Sequence, residues 1–409
     1  MNQFHIVENS GVAWPRGFQV AGIKAGIKAS KKHDLAIIIS DEDVRTFGAF
    51  TQNQVVAAPV VLSQKILGEN SMTRGCLINS GNANACTGTL GMENAQELVQ
   101  LTEIFFDLEP GSILICQTGI IGVQLPMETI KNALPQLKNQ LSKDTDTLDA
   151  SGLFAEAILT TDTCRKEIAV KIDTHLGEIR IAGASKGSGM IHPNMATMLA
   201  FVTTDVELSA DFEAEFKAIV DDSFNSITVD GDTSTNDTAL LMSSKGSGIK
   251  YEDLSLAEQG EFRKAIFYVF ADLAQKIIRD GEGATKFVEI KVRQARSRQE
   301  ARLIARYVAN SKLVKTALFG NDPNWGRIIA AIGNTGVPIH PEKISIKYDD
   351  AYVLMAGEPA STPSDKLEAI ALKKEFVIDI SLDLGDASTS IWTSDLSYEY
   401  VRINAEYST

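Results

Sequence analysis

The residues best suited to chemistry lie in one stretch, KGSGMIHPNMATMLAFVTTD, which runs from residue 186 to residue 205. In it, Thr197 follows the small residue Ala196. A threonine hydroxyl is a poor nucleophile unless a base lies beside it, and an N-terminal threonine supplies that base as its own amine. With a pKa of about 7.7–8.0, an α-amine is partly neutral near neutral pH. In an uncut chain, this chemistry would require cleavage of the Ala196–Thr197 bond.

The same stretch contains the means for such a cleavage. Its glycines and Pro193 can hold the peptide in an unusual turn, and the small side chain of Ala196 leaves its carbonyl open to the Thr197 hydroxyl. On spacing alone, however, the favoured interpretation is a glycine-rich loop that leads into a buried strand, MLAFVTTD.

A serine hydrolase is the first alternative, because residues 183–187 match G-x-S-x-G and follow the strand-like segment EIRIA. A nucleophile elbow must continue directly into a helix, whereas Gly189 and Pro193 follow here within a few residues. The downstream histidines available as a base are His192 and His340. The sequence therefore disfavours this mechanism.

An acidic loop, ITVDGDTSTND, is the second alternative, because it places Asp230, Asp232 and Asp237 close together. It lacks the glycine and the glutamate that an EF-hand requires, so we expect a turn held by Asx hydrogen bonds and no metal site. A metal-binding or scaffolding protein built around this loop is the non-enzyme alternative. The segment DGEGATK, from Asp280, is too short for a P-loop and is expected to close a helix.

Composition excludes several classes of protein. A chain of 409 residues is long enough for two structural units, and its 44% hydrophobic and 22% charged residues are typical of globular proteins. The net charge of −14 argues against a nucleic-acid partner. No apolar run reaches bilayer length and the first residues do not resemble a secretory signal, so we expect no membrane association and a cytoplasmic location. The four cysteines lack CxxC spacing, which indicates reduced structural thiols.

The elements that must position these residues alternate between strand and helix patterns, which predicts a mixed α/β fold without a linker between domains. Predicted strands are 34–42, 111–119, 288–292, 344–348 and 376–384, the last followed by a hairpin turn at Gly385-Asp386. The first predicted helix is 93–108, with a buried face that includes Phe105. A second predicted helix begins after Ser209 as its N-cap, and a third has an apolar stripe from Phe262 to Ile277. A fourth begins with the capping-box pair Ser297 and Glu300.

At KGSGMIHPNMATML the sequence resembles a known family, the ornithine acetyltransferases of arginine biosynthesis, also called glutamate N-acetyltransferases. The resemblance covers essentially the whole chain and follows the family's order of motifs. The supporting motifs are NSGNANACTG from Asn79, CQTGIIG from Cys116, LTTDT from Leu159, DGDTSTND from Asp230, GEGATK from Gly281, GNDPNWGRI from Gly320 and YVRINAEYST from Tyr400.

The resemblance implies a self-processing enzyme. Thr197 would cleave its own precursor after Ala196, giving an α chain (1–196) and a β chain (197–409) that stay together as one intertwined catalytic unit. The implied fold is a layered α/β sandwich of the type found in self-processing, DmpA-like aminopeptidases. Thr197 would then carry acetyl from N2-acetyl-L-ornithine to L-glutamate by a ping-pong reaction. A related aminopeptidase on the same scaffold is the alternative enzyme.

The resemblance also implies site residues and partners. An oxyanion hole would be formed by Thr118 and Gly119, in a turn after a strand ending at Cys116. Substrate contacts would come from Thr160, Lys186, Thr197, Glu282, Asn404 and Thr409. We infer that Lys186 pairs with the substrate carboxylate and Glu282 with its ammonium. No cofactor or metal is expected, use of acetyl-CoA as a co-substrate is left open, and a dimer of αβ units is the family expectation.

Overall fold

The computed structural model describes residues 4–144, 149–192 and 198–406. Its strands are β1 (Phe4–Ile6), β2 (Phe18–Ile23), β3 (Leu35–Phe50), β4 (Met72–Asn82), β5 (Ile113–Ile120), β6 (Lys166–Thr174), β7 (Gly177–Lys186), β8 (Leu199–Thr204), β9 (Ile227–Thr228), β10 (Thr238–Ser243), β11 (Phe287–Ala295), β12 (Ser345–Tyr348), β13 (Ala351–Met355), β14 (Glu358–Pro359), β15 (Glu375–Ser381) and β16 (Ala387–Ser394). Its α-helices are α1 (Ala58–Glu69), α2 (Gly88–Phe106), α3 (Met127–Asn139), α4 (Ala150–Ile158), α5 (Glu213–Asp222), α6 (Leu256–Arg279), α7 (Arg298–Asn310), α8 (Lys312–Phe319), α9 (Trp325–Gly333), α10 (Ser364–Ala371) and α11 (Tyr398–Glu406).

A nine-stranded sheet forms the centre of the molecule, in the order β1-β6-β7-β8-β10-β3-β4-β5, with β2 paired to β3. Helices α1 to α4 cover one face, and α5 and α6 cover the other. Because both faces are buried, strands such as β3 begin with continuous apolar runs and do not alternate with polar residues.

A seven-stranded sheet, in the order β14-β13-β12-β15-β11-β16-β9, packs against α7 to α9 over a separate apolar cluster. Helix α6 contacts β6 and β7 of the large sheet and β16 of the small one, and so joins the two. The predicted layered, mixed α/β fold is confirmed. Among the described residues, no helix combines the length and apolar character needed to cross a bilayer.

The predicted α chain (1–196) and β chain (197–409) do not correspond to the two sheets. Strands β8 and β10, which follow residue 197, pair with β7 and β3, which precede it. Both halves of the chain therefore build the large sheet. Cleavage at residues 196–197 itself stays a prediction, because these residues lie outside the described part of the chain.

Several predicted elements are confirmed. The stripe from Phe262 to Ile277 is buried along α6, which ends at Asp280 as expected. Ser297 caps α7 by accepting a hydrogen bond from the Glu300 backbone nitrogen at 3.2 Å.

Other local predictions are wrong for identifiable reasons. β3 does not turn after its acidic residues but continues to Phe50, because its second half pairs with β10. The Ser209 hydroxyl makes no capping hydrogen bond, since a short 3₁₀ turn precedes α5. In α2, Phe105 is 37% exposed and Phe106 is buried, because the buried face advances four residues from Thr102.

The predicted hairpin at Gly385-Asp386 is also wrong. β15 and β16 do not pair with each other; both pair with β11, which lies between them. The connection crosses the end of β11 closely enough that a Cβ at Gly385 would lie 2.6 Å from the Ala295 carbonyl oxygen. Glycine is needed at position 385 because the backbone passes close to Ala295, and not because it forms a tight turn.

Candidate active site

A cavity of about 330 Å³ gathers residues from segments that are far apart in the sequence. All six predicted site residues that fall in the described part of the chain line it, namely Thr118, Gly119, Thr160, Lys186, Glu282 and Asn404. The other predicted residues, Ala196, Thr197 and Thr409, lie outside the described residues. The structure brings the six together, while the role of each stays a prediction.

The predicted oxyanion hole lies in the last residues of β5 and not in a turn after Cys116. The strand continues because β4 runs beside it, with Ser80 opposite Thr118 and Gly81 opposite Gly119. Gly119 has φ +132°, and a Cβ there would lie 2.5 Å from the Asn82 nitrogen. A glycine is therefore required at this position, both for its backbone conformation and for the close approach of β4.

A network of buried amides holds this end of β5. Asn236 Nδ2 donates to the carbonyl oxygens of Ala83 and Gln117, at 2.6 and 2.9 Å. The Gln117 side chain accepts from Asn84 Nδ2 at 2.9 Å and donates to Asn79 Oδ1 at 2.6 Å. These bonds fix the residue before Thr118. Sequence reasoning missed this role, although the asparagines of NSGNANACTG were the available signal.

Lys186 ends β7 and is almost completely buried, with 2% of its surface exposed. Taken alone, this residue would suggest a solvated surface lysine, and that interpretation is wrong. Its Nζ donates to Thr118 Oγ1 at 3.4 Å, which links it to the predicted oxyanion hole. Burial lowers the pKa of Lys186, while the charges of Asp162, Asp237 and Glu282 oppose that effect. A buried ammonium in this cavity can pair with a carboxylate.

Glu282 supplies a carboxylate to the same cavity. Its backbone nitrogen donates to Ser188 O at 2.9 Å, and its Oε2 accepts from Asn404 Nδ2 at 2.9 Å. A Cβ at Gly189 would lie 2.5 Å from the carboxyl carbon of Glu282, so a larger residue there would have to displace this carboxylate from its position. Asn404 brings the C-terminal helix α11 to the site and orients the carboxylate.

The acidic loop anchors the chain on both sides of residues 193–197. Asp230 accepts hydrogen bonds from the backbone nitrogens of Met190 and Ile191, at 2.6 and 2.9 Å. Asp237 accepts from the Met198 nitrogen at 3.0 Å. The predicted Asx turn is confirmed, because Asp230 also accepts from the Asp232 nitrogen at 3.2 Å. The anchoring was missed, because it joins residues about forty positions apart.

Burial dominates the titration of this loop. It raises the pKa of Asp230 to about 6 and the pKa of Asp237 well above the usual range of a carboxyl group. Burial and the nearby carboxylates of Asp230 and Glu282 likewise raise the pKa of Tyr400. Asp230 and Tyr400 both line the cavity and were not among the predicted site residues. Their signal was membership of the motifs DGDTSTND and YVRINAEYST.

The serine-hydrolase alternative finds no support in this geometry. Ser185 lies inside β7, paired with β6 and β8, and not at a strand-to-helix elbow. Its Oγ is buried and makes no hydrogen bond within the part of the chain that the structure describes.

The chain is similar in sequence to the proteins of a known family. The model of the ArgJ family matches residues 19–409. The chain is 47% identical to the arginine biosynthesis bifunctional protein ArgJ of Chlorobaculum tepidum, over 98% of this chain and 97% of that protein. It is 41% identical to the glutamate N-acetyltransferase of Methanocaldococcus jannaschii, over 98% of this chain and 100% of that protein. A crystal structure of ArgJ from Bacillus halodurans matches with 39% identity and a TM-score of 0.48, over 51% of this chain and 98% of that one.

Proposed function

Because the chain belongs to the ArgJ family, we propose that it is a glutamate N-acetyltransferase of arginine biosynthesis that moves acetyl from N2-acetyl-L-ornithine to L-glutamate. The products are L-ornithine and N-acetyl-L-glutamate. The nucleophile is Thr197, made N-terminal by cleavage after Ala196.

The observation that carries the proposal is the charge arrangement of the cavity. A buried ammonium, Lys186, and an oriented carboxylate, Glu282, line the same space of about 330 Å³. Acetylornithine and glutamate both carry a carboxylate, and ornithine and glutamate both carry an ammonium group. Opposite charges of this kind fix a small amino acid by charge-assisted hydrogen bonds. Thr160 and Asn404 complete the proposed substrate contacts, with Thr409 from the C-terminus.

Self-cleavage comes first in the proposed mechanism. The Thr197 hydroxyl attacks the Ala196 carbonyl carbon, the C–N bond breaks, and the nitrogen takes a proton to become the free α-amine. The resulting ester is hydrolysed by water, which leaves a carboxylate on Ala196 and the hydroxyl on Thr197. Asp230 and Asp237 support this step, since they hold backbone N–H groups on either side of residues 193–197.

Acetyl transfer then uses the new amine as the base. The amine takes the Thr197 hydroxyl proton while the oxygen attacks the acetyl carbon of acetylornithine. The tetrahedral oxyanion would be stabilised by the Thr118 hydroxyl and the Gly119 N–H, and each such donor typically lowers the barrier by about 2.7–4 kcal/mol. Ornithine leaves with the proton, and the glutamate amine attacks the acetyl-threonine ester to regenerate Thr197.

The position of Lys186 supports this oxyanion hole. Its Nζ donates to Thr118 Oγ1, so the Thr118 hydroxyl proton must point elsewhere and is available for another acceptor. The two halves of the cut chain would remain together because β7 and β8, and β3 and β10, stay paired in a sheet buried on both faces. The proposal also includes a cytoplasmic location and association of two αβ units, which fractionation and light scattering would test.

The deciding experiment reads the N-termini of the purified protein and then assays transfer. We expect two bands near half the full mass on a denaturing gel, a new terminus beginning Thr-Met-Leu, and acetyl transfer from acetylornithine to glutamate. Thr197→Ala should leave one inactive full-length chain, whereas Thr197→Ser retains a hydroxyl and should still cleave. Active protein that is a single intact chain would contradict the mechanism.

Two further assays define the reaction. Hydrolysis of peptides without transfer to glutamate would identify the alternative, an aminopeptidase in which water takes the acyl group. Formation of N-acetylglutamate from acetyl-CoA and glutamate would establish acetyl-CoA as a second donor; the proposal leaves this open, and no cofactor or metal takes part in the steps above.

A further inference from the structure

Three charged side chains, Asp162, Lys166 and Asp280, form a buried triad next to the cavity. Lys166 Nζ lies 2.6 Å from Asp162 Oδ1 and 2.5 Å from Asp280 Oδ2. The side chains of Asp162 and Lys166 are fully buried, and that of Asp280 is 6% exposed. Because desolvation offsets much of the attraction in a buried ion pair, the triad is weak evidence for stability alone. Its hydrogen bonds to segments that line the cavity indicate a second role, which is to position the site.

Asp162 binds the backbone of two segments that carry predicted substrate contacts. Its Oδ2 accepts from the Thr160 nitrogen at 3.0 Å, two residues earlier in the same loop. Its Oδ1 accepts from the Gly187 nitrogen at 2.7 Å, directly after Lys186 at the end of β7. One buried carboxylate therefore fixes Thr160 and the backbone that follows Lys186.

Asp280 connects the triad to the segment that carries Glu282. It ends α6, two residues before Glu282, and accepts hydrogen bonds from the backbone nitrogen and the hydroxyl of Thr163. Lys166 bridges Asp280 and Asp162, so the segments that carry Thr160, Lys186 and Glu282 meet at a single ammonium group.

The charge of Asp162 also interacts with the charge of Lys186. The strongest charged influences on Lys186 are Asp162, Lys166, Asp237 and Glu282, and Lys28 also interacts with it. Burial is the largest influence and lowers the pKa of Lys186, the Asp162 charge opposes it most, and the Lys166 charge adds to it. Reciprocally, although burial alone would raise it, the charges of Lys166 and Lys186 hold the pKa of Asp162 well below its usual range. Within and directly beside the triad, the carboxylates of Asp162 and Asp280 thus balance the ammonium groups of Lys166 and Lys186.

We infer that Asp162 is a positioning residue of this site: it fixes Thr160 and the end of β7, and it is the counter-ion that keeps the buried Lys186 cationic for a substrate carboxylate. The inference rests on the proposed function, in which Lys186 binds that carboxylate. It adds a residue that makes no substrate contact and acts through its neighbours.

The test compares Asp162→Asn with Asp280→Asn, two isosteric variants that each remove one carboxylate from Lys166. KM for acetylornithine and the calorimetric affinity for ornithine are both measured over a pH series. The series runs from roughly pH 6 to pH 10, because a lysine whose pKa is lowered titrates in that range. Removing the Asp162 charge lowers the pKa of Lys186 further, so the alkaline loss of affinity should move to lower pH. Above that transition, we expect KM to rise about tenfold relative to the wild type.

The Asp280→Asn variant is the control, since Asp280 contacts Lys166 and Thr163 and is not among the strongest charged influences on Lys186. Its alkaline transition should stay at the wild-type pH, whatever happens to turnover. If both variants leave the transition unmoved, or both move it equally, Asp162 is not the counter-ion of Lys186 and the inference is wrong.

A double variant, Lys166→Met with Asp280→Asn, covers the case in which Asp162→Asn fails to fold. It removes one positive and one negative charge and leaves Asp162 facing Lys186. Because the Lys166 charge lowers the pKa of Lys186, the alkaline transition should now move to higher pH, the opposite direction. A downward movement would overturn the inference.

Failure of the inference and failure of the proposed function give different results. Wild-type protein that binds ornithine but transfers no acetyl would refute the function, while the pH dependence of binding would still test Asp162. Wild-type protein that transfers acetyl, with an Asp162→Asn transition identical to its own, would refute only the inference.

Discussion

Replacing Gly119 by alanine tests the oxyanion hole through backbone geometry alone. Gly119 has φ +132°, and a Cβ there would lie 2.5 Å from the Asn82 nitrogen and 2.7 Å from the Gly81 Cα. Ordinary carbon contacts lie near 3.5 Å, so β4 and β5 must separate by roughly 1 Å at this point. The change also places a non-glycine residue in an unfavourable backbone conformation, at a cost of about 1–3 kcal/mol.

The displaced group is the proposed donor itself, the Gly119 N–H. Loss of one oxyanion donor costs about 2.7–4 kcal/mol of barrier, and a misplacement of about 1 Å can reduce rate about 100-fold. We therefore expect kcat for acetyl transfer to fall about 10²- to 10³-fold in Gly119→Ala, with KM changed far less because an oxyanion donor acts chiefly in the transition state and not on the bound substrate.

Gly122→Ala is the matched control. Gly122 also has positive φ (+79°), three residues further on, but a Cβ there would meet nothing within 4 Å. The control therefore carries the conformational strain without the clash and should keep kcat near the wild-type value. The assay is steady-state transfer from acetylornithine to glutamate on fully cleaved protein. A Gly119→Ala enzyme with kcat equal to that of Gly122→Ala would refute the assignment of this N–H to the oxyanion hole.

Three other outcomes are expected. Deleting residues 404–409 removes the Asn404 bond to Glu282, and KM should rise about 10- to 100-fold while self-cleavage, followed on a gel, stays intact. Glu282→Gln should raise KM by a similar factor, about 10- to 100-fold, because the charged partner of the ammonium is lost; an unchanged KM would contradict that pairing. Burial raises the pKa of Glu167 to about 7, so the folded state holds this proton more tightly than the unfolded state, and stability should fall as pH rises from about 4.5 to 7. In uncut Thr197→Ala protein, Glu167→Gln should therefore raise the urea-unfolding free energy at pH 8 by about 1–3 kcal/mol and leave it unchanged near pH 4; equal stability at pH 8 would contradict the prediction.

Local pattern was a good guide where one short-range force decides the structure. The stripe of α6 and the Ser297 cap of α7 depend on residues within a few turns of each other, and both were predictable. The hairpin at Gly385 failed because β11, about ninety residues earlier, takes the place between β15 and β16. The full length of β3 failed in the same way, since its second half depends on pairing with β10. Strand partners are non-local, and no local pattern encodes them.

By itself, the sequence determined the family and named the residues that could do the chemistry, because motifs such as KGSGMIHPNMATML preserve residue type and order. The tertiary structure decided what surrounds those residues. It buried Lys186 against Thr118, aligned Glu282 with Asn404, and placed the Asp162–Lys166–Asp280 triad beside them. Charge and proton affinity at a site depend on desolvation and on neighbours brought together by folding, and these exist only once the sheets and helices have packed.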